Sequence, residues 1–259
     1  MTHPPFDVTR FHDLLRTEAF GRNLIFEPVV GSTMDLARAA AHHNAVEGTV
    51  AVADEQTAGR GRMGRSWVTP PAANLTFTLL LRPPAPVLRQ VAMIAPLAVA
   101  DAVEETDVRA AIKWPNDVQV SGRKIAGILI ESEIDDGGAS AVLAGIGLNV
   151  NFDPRAHEDI RDIATSLAVE LGRTVEREPL LASMLLHFER LYNEAKAGAS
   201  PRDAWRARLV TLGQQVQATM PGRIVEGLAE DVDEHGALIV RTSDNQLVMV
   251  EAGDVTLRR

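Results

Sequence analysis

The sequence predicts an α+β protein: a mixed, largely antiparallel sheet flanked by helices, followed by a small all-β unit. Three observations lead there. Segments with apolar residues at helical spacing alternate with segments that alternate apolar and polar, or run apolar, as strands do. Three strand candidates follow one another at residues 111–114, 125–133 and 141–150 with no helical pattern between them. From Gln215 onward helical patterns stop, and short alternating runs are separated by DEHG at 233–236 and TSDN at 242–245, both turn signals.

Taken in order, residues 11–20 repeat apolar side chains at helical spacing, and 23–30 then look extended. Residues 34–43 form a short alanine-rich helix, and 49–53 a compact apolar strand. The stretch NLTFTLLL at 74–81 alternates and then becomes wholly apolar, the pattern of a half- to fully buried strand. Residues 87–105 predict one long helix, buried on several faces by its alanines. After the three strand candidates, 178–197 and 204–212 read as helices. The tail predicts four or five short strands closing as a small barrel on a core of its own, with a boundary near Gly213, so that residues 1–212 and 213–259 form two domains.

Composition narrows the function. At 46% hydrophobic residues the chain can bury a sizeable core. A formal net charge of −9 argues against general affinity for nucleic acid. No cysteine is present, which removes thiolate metal sites and cysteine nucleophiles and suits a reducing compartment. MTHPPFDVTR lacks the apolar stretch of a signal peptide, and the longest apolar run, 91–103, is too short to span a bilayer. A cytoplasmic location is expected. The histidines are scattered without metal-ligand spacing, and no metal site is expected from protein residues.

The segment AGRGRMGRSW at 58–67 contains GRGRMG, a formal match to the dinucleotide fingerprint G-x-G-x-x-G. Its context contradicts that role. DEQTA intervenes after the strand, Pro70-Pro71 forbids a following helix, and LRPPAP stands where the ribose-binding acid belongs. Absence of Gly-Lys-Ser/Thr excludes a P-loop. What remains is a glycine-rich loop carrying Arg60, Arg62 and Arg65, with Trp67 at its end. It is either a basic surface loop or a lid whose guanidinium forks pair with phosphate or carboxylate.

Other segments have the same double reading. Ser32 and Asp35 in GSTMD can form a capping box at a helix start, or present amides and hydroxyls to a polar ligand. KWPND at 113–117 is a good turn, yet Lys113 at a strand end suits phosphate binding. Ser121-Gly122 is a hairpin turn that returns the chain into RKIAGIL. There Lys124 stands at the mouth of an apolar strand, where it needs an anion, with Gly127 leaving space beside it. GIGLNVN at 145–151 is a strand with glycines that permit close approach of a ligand.

In this order, GSTMD, EQTAGRGRMGRSW, ANLTFTLLLRP, IKWPNDV, GRKIAGILIE and GIGLNVN resemble the biotin–protein ligase family over residues 30–151, with ATSL at 164–167 and the β-rich tail also fitting. The resemblance implies a catalytic domain with a C-terminal SH3-like barrel. It implies that biotin is activated with ATP and Mg²⁺ as biotinyl-5′-AMP and then passed to a lysine of a biotin carboxyl carrier domain of a carboxylase. It further implies that Ser32, Thr33, Met34 and Gln56 hold biotin's ring, with Gly59, Arg60, Gly61 and Arg62 closing over it and Gly127 and Gly147 beside it. Lys124 and Arg62 are the implied catalytic pair. Arg62, Arg65, Trp67, Lys113, Asn116, Lys124 and Asn149 are implied on the nucleotide side. Met34 stands where the family usually has Asn. With few residues ahead of the first strand and an acidic charge, no DNA binding, no repressor function and no membrane association are expected. Family members occur as monomers and homodimers.

Overall fold

The computed structural model describes residues 3–135, 138–220, 222–251 and 253–257. The order is α1 (Val8–Leu14), β1 (Leu24–Val30), α2 (Thr33–His42), β2 (Val50–Gln56), β3 (Leu75–Leu81), α3 (Ala85–Leu88), α4 (Val91–Glu104), β4 (Ala111–Lys113), β5 (Asp117–Val120), β6 (Arg123–Asp135) and β7 (Gly138–Leu148). Then come α5 (Leu167–Leu171), α6 (Arg177–Lys196), α7 (Arg202–Ala207), β8 (Gln215–Met220), β9 (Arg223–Val232), β10 (Leu238–Arg241), β11 (Leu247–Val250) and β12 (Asp254–Leu257).

The first seven strands make one sheet in the order β1-β2-β3-β7-β6-β5-β4, parallel only between β1 and β2. Side chains alternate between its faces. Leu75, Phe77, Leu79 and Leu81 of β3, with Val142, Ala144, Ile146 and Leu148 of β7, join α4 and α6 in the larger core. Leu80, Leu143 and Ala51 point the other way, toward Met34 and Ala37 of α2. Burial on both faces explains the apolar runs in the sequence. Among the described residues no helix is long and apolar enough to cross a membrane.

Three helix expectations shift. α1 starts at Val8, because the Asp7 side chain caps it by accepting from the Arg10 amide at 2.9 Å. Beyond Leu14 the chain is turned by α6: the Glu189 carboxylate accepts from the amides of Glu18, Ala19 and Phe20 at 2.7, 2.7 and 2.8 Å. The single helix expected over 87–105 is divided into α3 and α4 at Arg89-Gln90. α7 ends at Ala207 because the following residues pair with β4, Val210 donating to Ile112 and Ile112 to Arg208.

The last five strands form a second antiparallel sheet, ordered β11-β10-β9-β8-β12. No ladder joins β11 to β12 among the described residues, so the sheet is open where a closed barrel was expected. It also lacks the separate core predicted for it. Val216, Ala229, Leu238 and Val250 belong to the same contiguous apolar cluster as Trp114 and Trp205. Trp114 ties the two sheets further, its Nε1 donating to the Gly236 carbonyl at 2.9 Å and its amide to Thr211 Oγ1 at 2.9 Å.

Candidate active site

The site lies on the α2 face of the first sheet, where the strands exchange bulky side chains for threonine and glycine. Register places Thr76 of β3 opposite Gly147 of β7, Gly147 opposite Gly127 of β6, Gly127 opposite Asp117 of β5, and Asp117 opposite Lys113 of β4. One row across five strands therefore runs from a hydroxyl, over two bare glycines, to a carboxylate and an amine. The adjacent row sets Thr78, Gly145 and Leu129 side by side.

Over this floor folds the 59–67 loop, laid out as a small antiparallel ribbon. Trp67 donates its amide to the Gly59 carbonyl at 2.9 Å, and Gly61 donates to Arg65 at 2.7 Å. Gly59 is required by close approach, since a Cβ there would lie 2.5 Å from the Trp67 carbonyl oxygen. The ribbon drops the Trp67 indole onto the sheet. A Cβ on Gly147 would lie 2.5 Å from its Nε1. That buried Nε1 has no hydrogen-bond partner among the described residues.

Each arginine of the ribbon is held by a different element. Arg60 grips Asp35 of α2 with two nitrogens, at 2.7 and 3.1 Å. This bond is the main reason the Asp35 carboxyl is held below its ordinary pKa. Arg62 donates to Asn116 Oδ1 at 3.1 Å and to the Gly253 carbonyl at 3.0 Å, and burial lowers its pKa from the usual guanidinium value. Arg65 pairs with Asp254 at the start of β12 at 2.6 Å.

Two clefts open beneath. The first spans about 470 Å³, counting the space open to solvent at its mouth, and is lined by Ser32, Thr33, Met34, Gln56, Arg60, Gly61, Arg62, Gly127, Gly145 and Gly147 among others. At one end sits a polar cluster. Gln56 Oε1 accepts from the Thr33 amide at 2.8 Å and from its hydroxyl at 3.1 Å, and Thr78 donates to Thr33 Oγ1 at 2.9 Å. Met34 supplies an apolar wall, its sulfur seated over Gly145. The second cleft, about 2020 Å³ and open, is lined by Arg65, Lys113, Asp117, Asn149, Phe152, Ile160 and Ile163 among others. Gly61, Arg62, Trp67, Asn116 and Lys124 line both clefts.

Lys124 occupies this shared wall. Its Nζ is 2.6 Å from Asp117 Oδ1 and 5.5 Å from the centre of the Trp67 ring. The anion that its position in the sequence demanded is thus a neighbouring carboxylate. Asn116 is fixed by donating to the Ile128 carbonyl at 2.6 Å.

Of the residues that the resemblance assigns to the biotin and nucleotide sites, Gly59 alone lines neither cleft; it backs the Trp67 carbonyl instead. The Ser32–Asp35 capping box forms only by half. Ser32 Oγ accepts from the Met34 amide at 3.3 Å, while Asp35 turns to Arg60 and Arg38. Asn149 is buried, with Nδ2 donating to the Thr165 carbonyl at 3.0 Å and Oδ1 accepting from Asn74 at 3.2 Å. Sequence reasoning missed Asp117 as Lys124's partner, and the Ile160 and Ile163 wall, which carries no motif. Among the described residues no cluster of three or more histidines and carboxylates is disposed to hold a metal.

Comparison with known proteins supplies the family. The Biotin/lipoate A/B protein ligase family matches residues 26–151, and the Biotin protein ligase C terminal domain matches 211–258. The chain is 35% identical over 249 residues to the bifunctional ligase/repressor BirA of Bacillus subtilis, covering 94% of this chain and 76% of that one. It is 35% identical over 264 residues to the biotin–[acetyl-CoA-carboxylase] ligase of Mycobacterium tuberculosis, covering 97% and 96% respectively. The biotin protein ligase of Aquifex aeolicus, solved in complex with biotin and ATP, superposes with a TM-score of 0.79 at 30% identity, over 92% of this chain and 99% of that one. With a glycine-floored cleft joined to a second one through Arg62 and Lys124, and with these relatives, the chain belongs to the biotin–protein ligase family and is a ligase enzyme.

Proposed function

We propose that the enzyme joins biotin to ATP as biotinyl-5′-AMP and then transfers the biotinyl group to one lysine of a biotin carboxyl carrier domain. The supporting observation is the wall common to two clefts, because it sets two cationic side chains where the occupants of both must meet. Biotin's ring fits the first cleft, its urea facing Thr33, Gln56 and Ser32 and its thioether ring facing Met34. Its carboxylate points to Arg62 and Lys124. ATP fits the second cleft, with Arg65, Lys113 and Asn116 toward the phosphates and Trp67, Ile160 and Ile163 around the remainder. Mg²⁺ would enter as the nucleotide's counter-ion and neutralise phosphate charge, with Asp117 the carboxylate that lines this cleft.

The carboxylate oxygen attacks the α-phosphorus, and pyrophosphate leaves. A deprotonated lysine amine of the acceptor then attacks the acyl carbon, forming the amide as AMP departs. Negative charge grows at the junction in both steps, and preorganised cations there lower the barrier without covalent participation. Asp117 holds Lys124 until the substrate oxygens compete for it. Residues 1–212 carry the catalytic machinery, and 213–259 form a C-terminal β-rich unit, packed on the same apolar core, that completes the nucleotide cleft through Gln214 and Thr256. The enzyme works in the cytoplasm, and its net charge of −9 supports a ligase without a DNA-binding role.

Mass spectrometry of an apo carrier domain after incubation with the protein, biotin, ATP and Mg²⁺ tests this reading. One ATP-dependent biotinyl addition on a single lysine is expected. Lipoylation in a parallel lipoate reaction, with no biotinylation, would overturn it.

A further inference from the structure

Lys124 is fixed by its main chain as well as its side chain. Its amide donates to the Ile163 carbonyl at 2.8 Å, and its carbonyl accepts from the Thr165 amide at 2.9 Å, a parallel bridge to Ala164. The bridging segment ends the 150–165 stretch that supplies Phe152, Ile160, Ile163 and Ala164 to the second cleft. One wall of that cleft is therefore stitched to the residue at the junction.

What holds the stitch is a side chain outside both clefts. Glu170, on α5, accepts through Oε1 from the Thr165 hydroxyl and from Arg123 Nη2, the latter at 2.8 Å. Arg123 and Thr165 flank the bridge on its two strands, and the Glu170 side chain is only 15% exposed. Thr165 is wholly buried, and its carbonyl accepts from Asn149 Nδ2. Main-chain bridges of two or three bonds open easily unless neighbouring side chains restrain them. A charge-assisted bond from one carboxylate oxygen to both sides supplies that restraint.

We infer that Glu170 is a positioning residue for acyl-adenylate formation, registering Lys124 against the 160–165 wall so that carboxylate and α-phosphate meet in line. The inference rests on the ligase reading above. Glu170 lines neither cleft, so it acts through Lys124 and the wall.

The test is biotin-dependent ATP–pyrophosphate exchange with biotin and ATP varied separately, on the intact protein and on E170A, E170Q, T165V and the E170A/T165V double variant. E170A is expected to lower kcat for exchange about tenfold or more and to raise KM for ATP, because small misplacements at a reacting centre are costly. KM for biotin should change less than KM for ATP, since of the residues lining the first cleft only Lys124 is bonded to the 163–165 segment, whereas Ile160, Ile163 and Ala164 line the second cleft directly. E170Q should lie between, and T165V should add little to E170A, because the two share one interaction. Normal kcat and ATP KM in E170A and T165V would overturn the inference. So would a parallel loss for both substrates that tracks the folded fraction by circular dichroism, including in E170Q. If the unsubstituted protein itself shows no exchange, the ligase reading fails instead.

Discussion

Lys124 and Asp117 are an ion pair across the β5–β6 hairpin, 2.6 Å from nitrogen to oxygen, with both side chains less than one-third exposed. The pair lies where the two clefts meet, so the lysine is held by an anion of the protein until an anion of the substrate arrives. K124A should leave the fold intact and slow adenylate formation by about a hundredfold or more, as loss of a preorganised charge at a reacting centre does. D117N should retain the lysine with less restraint and lose less. Formation of biotinyl-5′-AMP at the normal rate by K124A, measured by rapid quench, would remove Lys124 from the reacting centre.

Gly147 and Trp67 pack so closely that no side chain fits between them. G147A should push the indole off the floor and weaken binding in both clefts, visible as loss of thermal stabilisation by biotin and by ATP. W67A/G147A should recover biotin-induced stabilisation relative to G147A alone. If G147A bound both ligands normally, the indole would be free to leave its seat at no expense.

Arg177 and Asp54 form a buried pair at 2.6 Å, 5% and 10% exposed, joining α6 to β2. Arg177 also donates to the carbonyls of Pro4 and Asn74, and Asp54 accepts from the Phe6 amide. R177M strands a buried carboxylate and should cost about 3–5 kcal/mol in urea unfolding, with little change in m. A loss below 1 kcal/mol would mean that water reaches Asp54 once the arginine is gone.

Arg60–Asp35 and Arg65–Asp254 anchor the two ends of the ribbon, and both pairs are well exposed. Such pairs contribute little to global stability, so D35N and D254N should leave Tm nearly unchanged. Each should speed tryptic cleavage at its own arginine. The Asp35 carboxyl has a folded pKa below its unfolded value, chiefly through its bond to Arg60. Its anchoring is therefore complete above about pH 3.9 and is lost only as pH falls through the depressed value. Ribbon proteolysis between pH 6 and 9 should show no step from this pair.

Much of the site was legible because its chemistry is carried by short contiguous segments. Arg62 and Lys124 stand out by residue type and local context, the family resemblance adds Asn116 and Thr33, and the structure brings all four to adjoining clefts. The row from Thr76 to Lys113 was not legible, since it depends on the register of five strands, which no local pattern states. Asp117 looked like a turn residue until the hairpin turned it toward Lys124. The shortening of the helix expected at 204–212 is a tertiary effect of the same kind, with pairing to β4 overriding helical spacing. The tail's strands were visible in their turns, but its lack of a separate core was not: Trp114 and Trp205 belong to one sheet's surroundings in sequence and to both in space.

Five residues belonging to two clefts at once have a thermodynamic corollary. Whatever ordering the first occupant imposes on Arg62, Trp67 and Lys124 need not be imposed again by the second. Each ligand then raises the affinity of the other, and linkage requires the two enhancement factors to be equal. Titrations of biotin with and without a non-hydrolysable ATP analogue, and of the analogue with and without biotin, must return the same ratio. Shared ordering of the common wall predicts a ratio greater than one; a ratio below one would mean that the two anions compete for Arg62 and Lys124.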